Sequence, residues 1–238
     1  MTASPPLPDL AALYRAQLER IARATEGQGR APDSVRLIAV SKYHPADAIR
    51  ALYGLGQRDF GENYVQELTQ KAELLADLPD LRWHLIGHLQ SNKARAIAPW
   101  IHCVQTVASA KLALELGRRA RERRPETLGP LEVLLEVNVG REPQKAGLLP
   151  EELGAVLEAV DSEPRLALRG LMAIPPIAED PEGSRPAFAE LASLRERWGG
   201  AARLPELSMG MSHDVEVAIA EGATMVRVGT ALFGERPR

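Results

Sequence analysis

Short apolar runs alternate with helix-length stretches from residue 35 onward, and this rhythm limits the fold more than any other feature of the sequence. The apolar runs lie at 35–41, 58–60, 82–86, 101–104, 131–137, 166–172, 205–208 and 224–228. Continuous apolar runs of this length mark strands buried on both faces of a parallel sheet. Helical patterns fall between them, at about 46–54, 61–77, from 91, 108–124, 150–160, 187–198 and 213–221. Eight strand–helix units predict an α/β fold closed into a (β/α)8 TIM barrel. The competitor is an open doubly wound sheet, which carries a G-x-G-x-x-G turn after its first strand. Here that strand runs into Ser41-Lys42-Tyr43-His44-Pro45, without a glycine. An extra amphipathic helix at 9–27 precedes the barrel, with Leu10, Leu13, Leu18, Ile21 and Ala22 expected on its apolar face. It is expected either to close the barrel bottom or to mediate dimers. Residues 1–8 read as a flexible tail and 9–238 as one domain.

Composition narrows the function classes. A formal net charge of −3 gives no footprint for nucleic acid. The one basic cluster, Arg118 to Arg124, sits late in a helix among acidic residues and reads as a solvated helix end. A single cysteine, Cys103, allows no internal disulfide and no cysteine metal cluster; it reads as a packed, inert thiol. No segment has the roughly 18 consecutive apolar residues of a membrane span, and the amino terminus lacks a signal pattern. A cytoplasmic protein is expected, with no membrane or nucleic-acid partner.

In a barrel, the loops after the strands share one rim, where active sites lie. The distinctive polar residues should therefore follow strands. Lys42 ends strand one, at the mouth of the core. An amine there loses its proton more readily than in water and can form a Schiff base with an aldehyde; alternatively it snorkels to solvent. Asn63 follows strand two, and His84 and His88 lie in or after strand three. Ser208-Met209-Gly210-Met211-Ser212 and Val228-Gly229-Thr230 each join a strand to a helix start. Glycine exposes backbone N–H groups and hydroxyls add donors, so both stretches suit an anion where barrels often hold phosphate. The alternative is ordinary turns and an N-cap. Arg227 lies inside an apolar strand, can only donate, and needs a partner: a carboxylate such as Glu62, or a ring nitrogen with a lone pair. Lysine, phosphate cup and ring-nitrogen donor together describe a site for pyridoxal 5′-phosphate, with Asn63 on its ring hydroxyl.

Ala39-Val40-Ser41-Lys42, Phe60-Gly61-Glu62-Asn63-Tyr64, Trp83 through Lys93, Lys145-Ala146-Gly147, Gly170-Leu171-Met172, Leu207 through Ser212 and Val226-Arg227-Val228-Gly229 carry a resemblance. On these stretches the sequence resembles the pyridoxal phosphate homeostasis protein family. The resemblance implies a barrel like the amino-terminal domain of alanine racemase (fold type III among these cofactor proteins), with the cofactor on Lys42. It implies holding and supplying the cofactor to apo-enzymes rather than turning over a substrate. Tyr43-His44 departs from the lysine-bearing stretch that some members show at that point.

The expected binding set is Lys42, Asn63, Ser208, Met209, Ser212, Arg227, Gly229 and Thr230, with no catalytic or metal-binding residue. The first alternative is a single-domain amino-acid racemase, with His84 or His88 opposing Lys42. The second is an aldolase-like Schiff-base barrel. About ten residues follow strand eight, too few for the second domain of racemases, so a monomer is expected. Lys145, in the loop after strand five, either holds cofactor transiently or is solvated.

Overall fold

The computed structural model describes residues 9–176 and 178–234; the expected tail at 1–8 lies outside them. Eight parallel strands close into one barrel in chain order: β1 Arg36–Val40, β2 Asp59–Glu62, β3 Arg82–Leu85, β4 Ile101–Val107, β5 Leu131–Glu136, β6 Leu166–Met172, β7 Glu206–Met211 and β8 Met225–Val228. Closure comes from β1 pairing β8, with Ile38 opposite Arg227 and Ala39 opposite Val228. The expectation of a closed barrel over an open sheet is met.

Helices interleave with the strands: α1 Leu10–Glu26, α2 Ala46–Gly54, α3 Val65–Leu74, α4 Ala94–Ile97, α5 Ala110–Arg123, α6 Leu153–Asp161, α7 Arg185–Arg197, α8 Gly200–Arg203, α9 Val215–Ala220 and α10 Thr230–Phe233. The core is one large apolar cluster running through the strands and the inner faces of the helices. In α5, the Ser109 side chain accepts from Leu112 N at 3.1 Å and starts the helix, while Leu112, Ala113, Leu116 and Ala120 recur at helical spacing and are buried.

Helix α1 neither closes the barrel bottom nor stands free. It packs against α2, α9 and α10, filling the outer-ring place that the four-residue α10 leaves short. Asp9 caps it by accepting from Ala12 N at 3.0 Å. Its buried residues are Tyr14, Ile21 and Thr25, whereas Leu18 is exposed. Of the expected stripe, Ile21 is buried and Leu10, Leu13 and Ala22 are half-buried, and Tyr14 and Thr25 join them on the core face; Thr25 Oγ1 donates to Ile21 O at 2.7 Å and Tyr14 Oη to Gln57 Oε1 at 3.2 Å.

The basic cluster is mostly a paired helix end: Arg118 and Arg119 bond Glu115 and Glu122, and Arg121 bonds Glu163. Arg124 departs from that expectation. It is buried and donates to the carbonyls of Gly129, Ile101 and Leu128. Cys103 is fully buried, and burial pushes its thiol well above the ordinary range.

Strand β7 extends to Met211, past the expected end at 208. Gly210, which the sequence marks as a turn, lies within the strand at φ 92, where the register against β8 shifts between Ser208 and Met211. A Cβ there would stand 2.5 Å from that of Ala218. Glycine thus lets the strand bend under α9 rather than leave the sheet.

Candidate cofactor site at the barrel mouth

A cavity of about 310 Å³ opens at the carboxyl ends of the strands. Lys42, Asn63, Ser212, Arg227, Gly229 and Thr230 all line it, with Val40, Ile86, Ile174 and Met211 as apolar walls. Six of the eight expected binding residues are therefore together. Ser208 and Met209 are not: because β7 is longer than expected, Ser208 points into the barrel beneath the cavity and Met209 joins the apolar core. Met211, Ile86 and Ile174 were missed, since apolar residues next to strand ends carry no chemical signal in a sequence.

Lys42 is half-buried and makes no hydrogen bond or ion pair among the described residues. Its setting is tied down from behind. Lys71, on α3, is 6 % exposed and donates from Nζ to Ser41 O, Glu62 Oε1 and Glu67 Oε1, each at 2.7 Å. Ser41 Oγ also donates to Glu62 Oε1 at 2.6 Å, and Tyr43 N to Glu67 Oε1 at 2.6 Å. Tyr43 accordingly takes a left-handed backbone, φ 68, immediately after Lys42. Burial raises the Glu62 carboxyl, against the opposing pull of Lys71. Glu62 is thus the partner of Lys71 and Ser41, not of Arg227. Sequence reading missed this cluster because Lys71 lies one α-turn from Glu67 on a helix and looks like a solvated residue.

Arg227 anchors a polar line through the barrel interior. Its Nη1 donates to Ser208 Oγ at 2.7 Å and its Nη2 to Ala173 O at 2.9 Å. Ser208 Oγ donates to Gln105 Oε1 at 2.6 Å, and Gln105 Nε2 to His84 Nδ1 at 3.0 Å. His84 Nε2 then donates to Asp59 Oδ1 at 2.8 Å, and Arg82 Nε donates to the same oxygen at 2.9 Å. Every proton along this line points from the arginine toward the aspartate. The two bonds of His84 fix the tautomer with its proton on Nε2. Burial would raise the Asp59 carboxyl, but the bonds from His84 and Arg82 outweigh it and hold it well below the usual range. Burial lowers Arg227 to about 10, so it remains a cation and a donor at neutral pH.

The loop after β7 is closed by two partners from outside it. Asp214 Oδ1 accepts from Met211 N at 2.7 Å, and Asp214 Oδ2 accepts from Ser184 Oγ at 2.9 Å. Arg20, on α1, donates to Ser212 O at 2.8 Å and pairs with Glu216. On the other side, Gly87 packs against Asn63 so tightly that a Cβ would lie 2.3 Å from Asn63 O. The Asn63 Oδ1 atom is buried without a hydrogen-bond partner among the described residues. Lys145 lines a neighbouring cavity, where its amine bonds Pro175 O at 3.0 Å and pairs with Glu142 at 2.6 Å.

A closed parallel barrel with an unengaged lysine after β1 and hydroxyl-bearing loops after β7 and β8 defines a class, and the chain belongs to it: the family model "Alanine racemase, N-terminal domain" matches residues 11–237. Among solved structures, the fold is similar to alanine racemase of Clostridium difficile, with 14% identity, a TM-score of 0.68, and coverage of 93% of this chain and 57% of that one. Much nearer is PipY of Synechococcus elongatus, solved with PLP bound: 44% identity, TM-score 0.75, 90% of this chain and 100% of that one. Within the class, the chain belongs with the pyridoxal phosphate homeostasis proteins. It is 50% identical over 220 residues to the one from Pseudomonas aeruginosa, covering 91% of each, and 43% identical over 227 residues to that of Escherichia coli K12, covering 92% and 93%.

Proposed function

We propose that this chain holds pyridoxal 5′-phosphate reversibly on Lys42 and buffers or supplies it, as a single-domain monomer acting in the cytoplasm with apo-enzymes as recipients. The observation that carries the reading is the unengaged Lys42 amine in the same cavity as Arg227, Ser212 and Thr230. The residues fit the cofactor on their own chemistry. Asn63 Oδ1 is a buried acceptor with no partner among the described residues, suited to a ring hydroxyl. Val40, Ile86, Ile174 and Met211 give apolar walls, and Ser212, Gly229 and Thr230 line the same cavity, where hydroxyls and a glycine backbone can receive an anion.

When bound, the cofactor supplies an aldehyde that condenses with amines and a ring that draws off electrons. Lys42 presents the amine. Arg227, fixed by Ser208 and Ala173, offers its remaining N–H donors to the ring nitrogen, and a permanent cation there discourages protonation of that nitrogen. Ser212 and Thr230 orient the phosphate. His84 is spent on Asp59 and Gln105 inside the barrel and so cannot oppose Lys42 as a base. His88 lines neighbouring cavities and not the one that holds Lys42, so holding fits this mouth better than racemization. No helix among the described residues is long and apolar enough to cross a membrane.

The test is an absorbance spectrum of the purified protein before and after borohydride reduction, with peptide mapping of the modified residue. Modification of Lys42 is expected. Absence of the cofactor band would favour the aldolase-like alternative, and sustained inversion of an added amino acid would favour the racemase.

A further inference from the structure

Beside the Lys42 cavity lies a second one of about 280 Å³, and the two share Asn63, Ile86 and Ile174 as walls. Glu136, the last residue of β5, lines this second lobe. It is 7 % exposed, and its Oε2 has no hydrogen-bond partner among the described residues. Buried carboxylates in folded proteins are normally paired. The field of Arg227 acts on Glu136, yet the Arg227 hydrogen bonds go to Ser208 and Ala173. Asn63 Oδ1, on the same lobe, is a second buried acceptor without a partner among the described residues, and the exposed His88 also lines it, whereas Asn138 and Lys145 are engaged. Asn138 exchanges hydrogen bonds with the Glu142 backbone at 2.9 and 3.1 Å, and Lys145 is held by Pro175 and Glu142. The unmet capacity of the lobe is therefore for a hydrogen-bond donor. The aliphatic side chains of Val137, Ile86 and Ile174 complete the wall.

We propose that this lobe is a subsite for a small primary alkylammonium, with Glu136 as its charge partner. The volume, at the lower end for ligand pockets, suits a short aliphatic amine. A carboxylate-bearing ligand would meet Glu136, and the lysine of the lobe, Lys145, is already paired with Glu142. This rests on the reading of the neighbouring cavity as the cofactor site, because it sets a second amine beside Lys42. Its own chemistry is independent of the cofactor, and so is its test.

The probe is n-butylammonium, titrated into cofactor-free protein while the backbone amide resonances of Val137, Asn138 and Ala146 are followed by NMR, with butyrate and n-butanol as controls. Saturable shifts are expected for the ammonium alone, with affinity at least tenfold lower in Glu136→Gln, a substitution that preserves shape and removes a buried charge. A thermal melt of the variant verifies that it is folded; if it is not, displacement of butylammonium by methylammonium in the unsubstituted protein, with the same shifts, serves instead. No saturable shift, equal affinity in the folded variant, or equal binding of butyrate would overturn the proposal. Cofactor absorbance on Lys42 is measured separately: its presence alongside a failed titration removes the subsite and leaves the holding role standing. Its absence alongside a successful titration does the reverse.

Discussion

Lys42 and Arg227 do different work at the mouth, and substitutions should separate them. Lys42→Ala is expected to abolish the absorbance of lysine-linked cofactor while leaving the thermal midpoint within a few degrees, because a half-buried, unengaged amine contributes little to the fold. Circular dichroism melts and spectra on one sample check both halves. Ser208→Ala acts through Arg227. It removes the acceptor of Nη1 and the donor to Gln105 at a fully buried position, and should cost about 1–3 kcal/mol of stability. Cofactor binding should weaken as well, since the guanidinium loses one of its two fixed points. A variant that loses stability but binds with unchanged affinity would reduce the polar line to a structural role. Lys42 and Arg227 were both visible in the sequence, because a charge at the end of an apolar run, or inside one, is conspicuous. Gln105 and Asp59 were not: a polar residue in a strand does not announce which side of a closed barrel it faces.

Elements explain where the sequence was sufficient and where it was not. All eight strands were legible from apolar runs, since a strand buried on both faces needs no alternation. Their ends were less so. β7 ran on to Met211 because Gly210 bends the strand instead of ending it, and this moved Ser208 and Met209 away from the cavity. The role of α1 could not be read either, since its burial depends on the shortness of α10 at the far end of the chain. That placement yields a prediction. Arg20→Ala removes the bond to Ser212 O and the largely exposed pair with Glu216, so the global effect should be under about 1 kcal/mol. The loop after β7 loses its outer tether, and cofactor affinity should fall about fivefold, the worth of one ordinary hydrogen bond of about 1 kcal/mol. Fluorescence or absorbance titration of the cofactor measures it. Gly87→Ala should weaken binding by displacing Asn63, because the added methyl has no room against the Asn63 backbone.

For the molecule as a whole, the buried carboxyls set the acid response. Asp59 is held below its ordinary value, so the folded chain keeps it ionised where the unfolded chain would protonate it. Its contribution is complete above the ordinary aspartate pKa of about 3.9 and is lost as pH falls below it. Glu62 and Glu136 act in the opposite sense: burial raises both, so each favours the folded state more as it takes up its proton. Comparing urea midpoints of the unsubstituted chain and Asp59→Asn isolates the first effect. The advantage of aspartate should be constant from pH 7 to 5 and shrink below 4; an advantage that grew with acid would contradict the assignment.

The seam between β1 and β8 joins residues near 36 to residues near 225. During synthesis, the first strand therefore emerges with one flank bare and waits for nearly the entire polypeptide before its neighbour exists. Over that interval a raw strand border is available to any other nascent strand, so the yield of soluble protein should depend on translation pace and chaperone supply far more than the finished ring, which has no border at all, would lead one to expect.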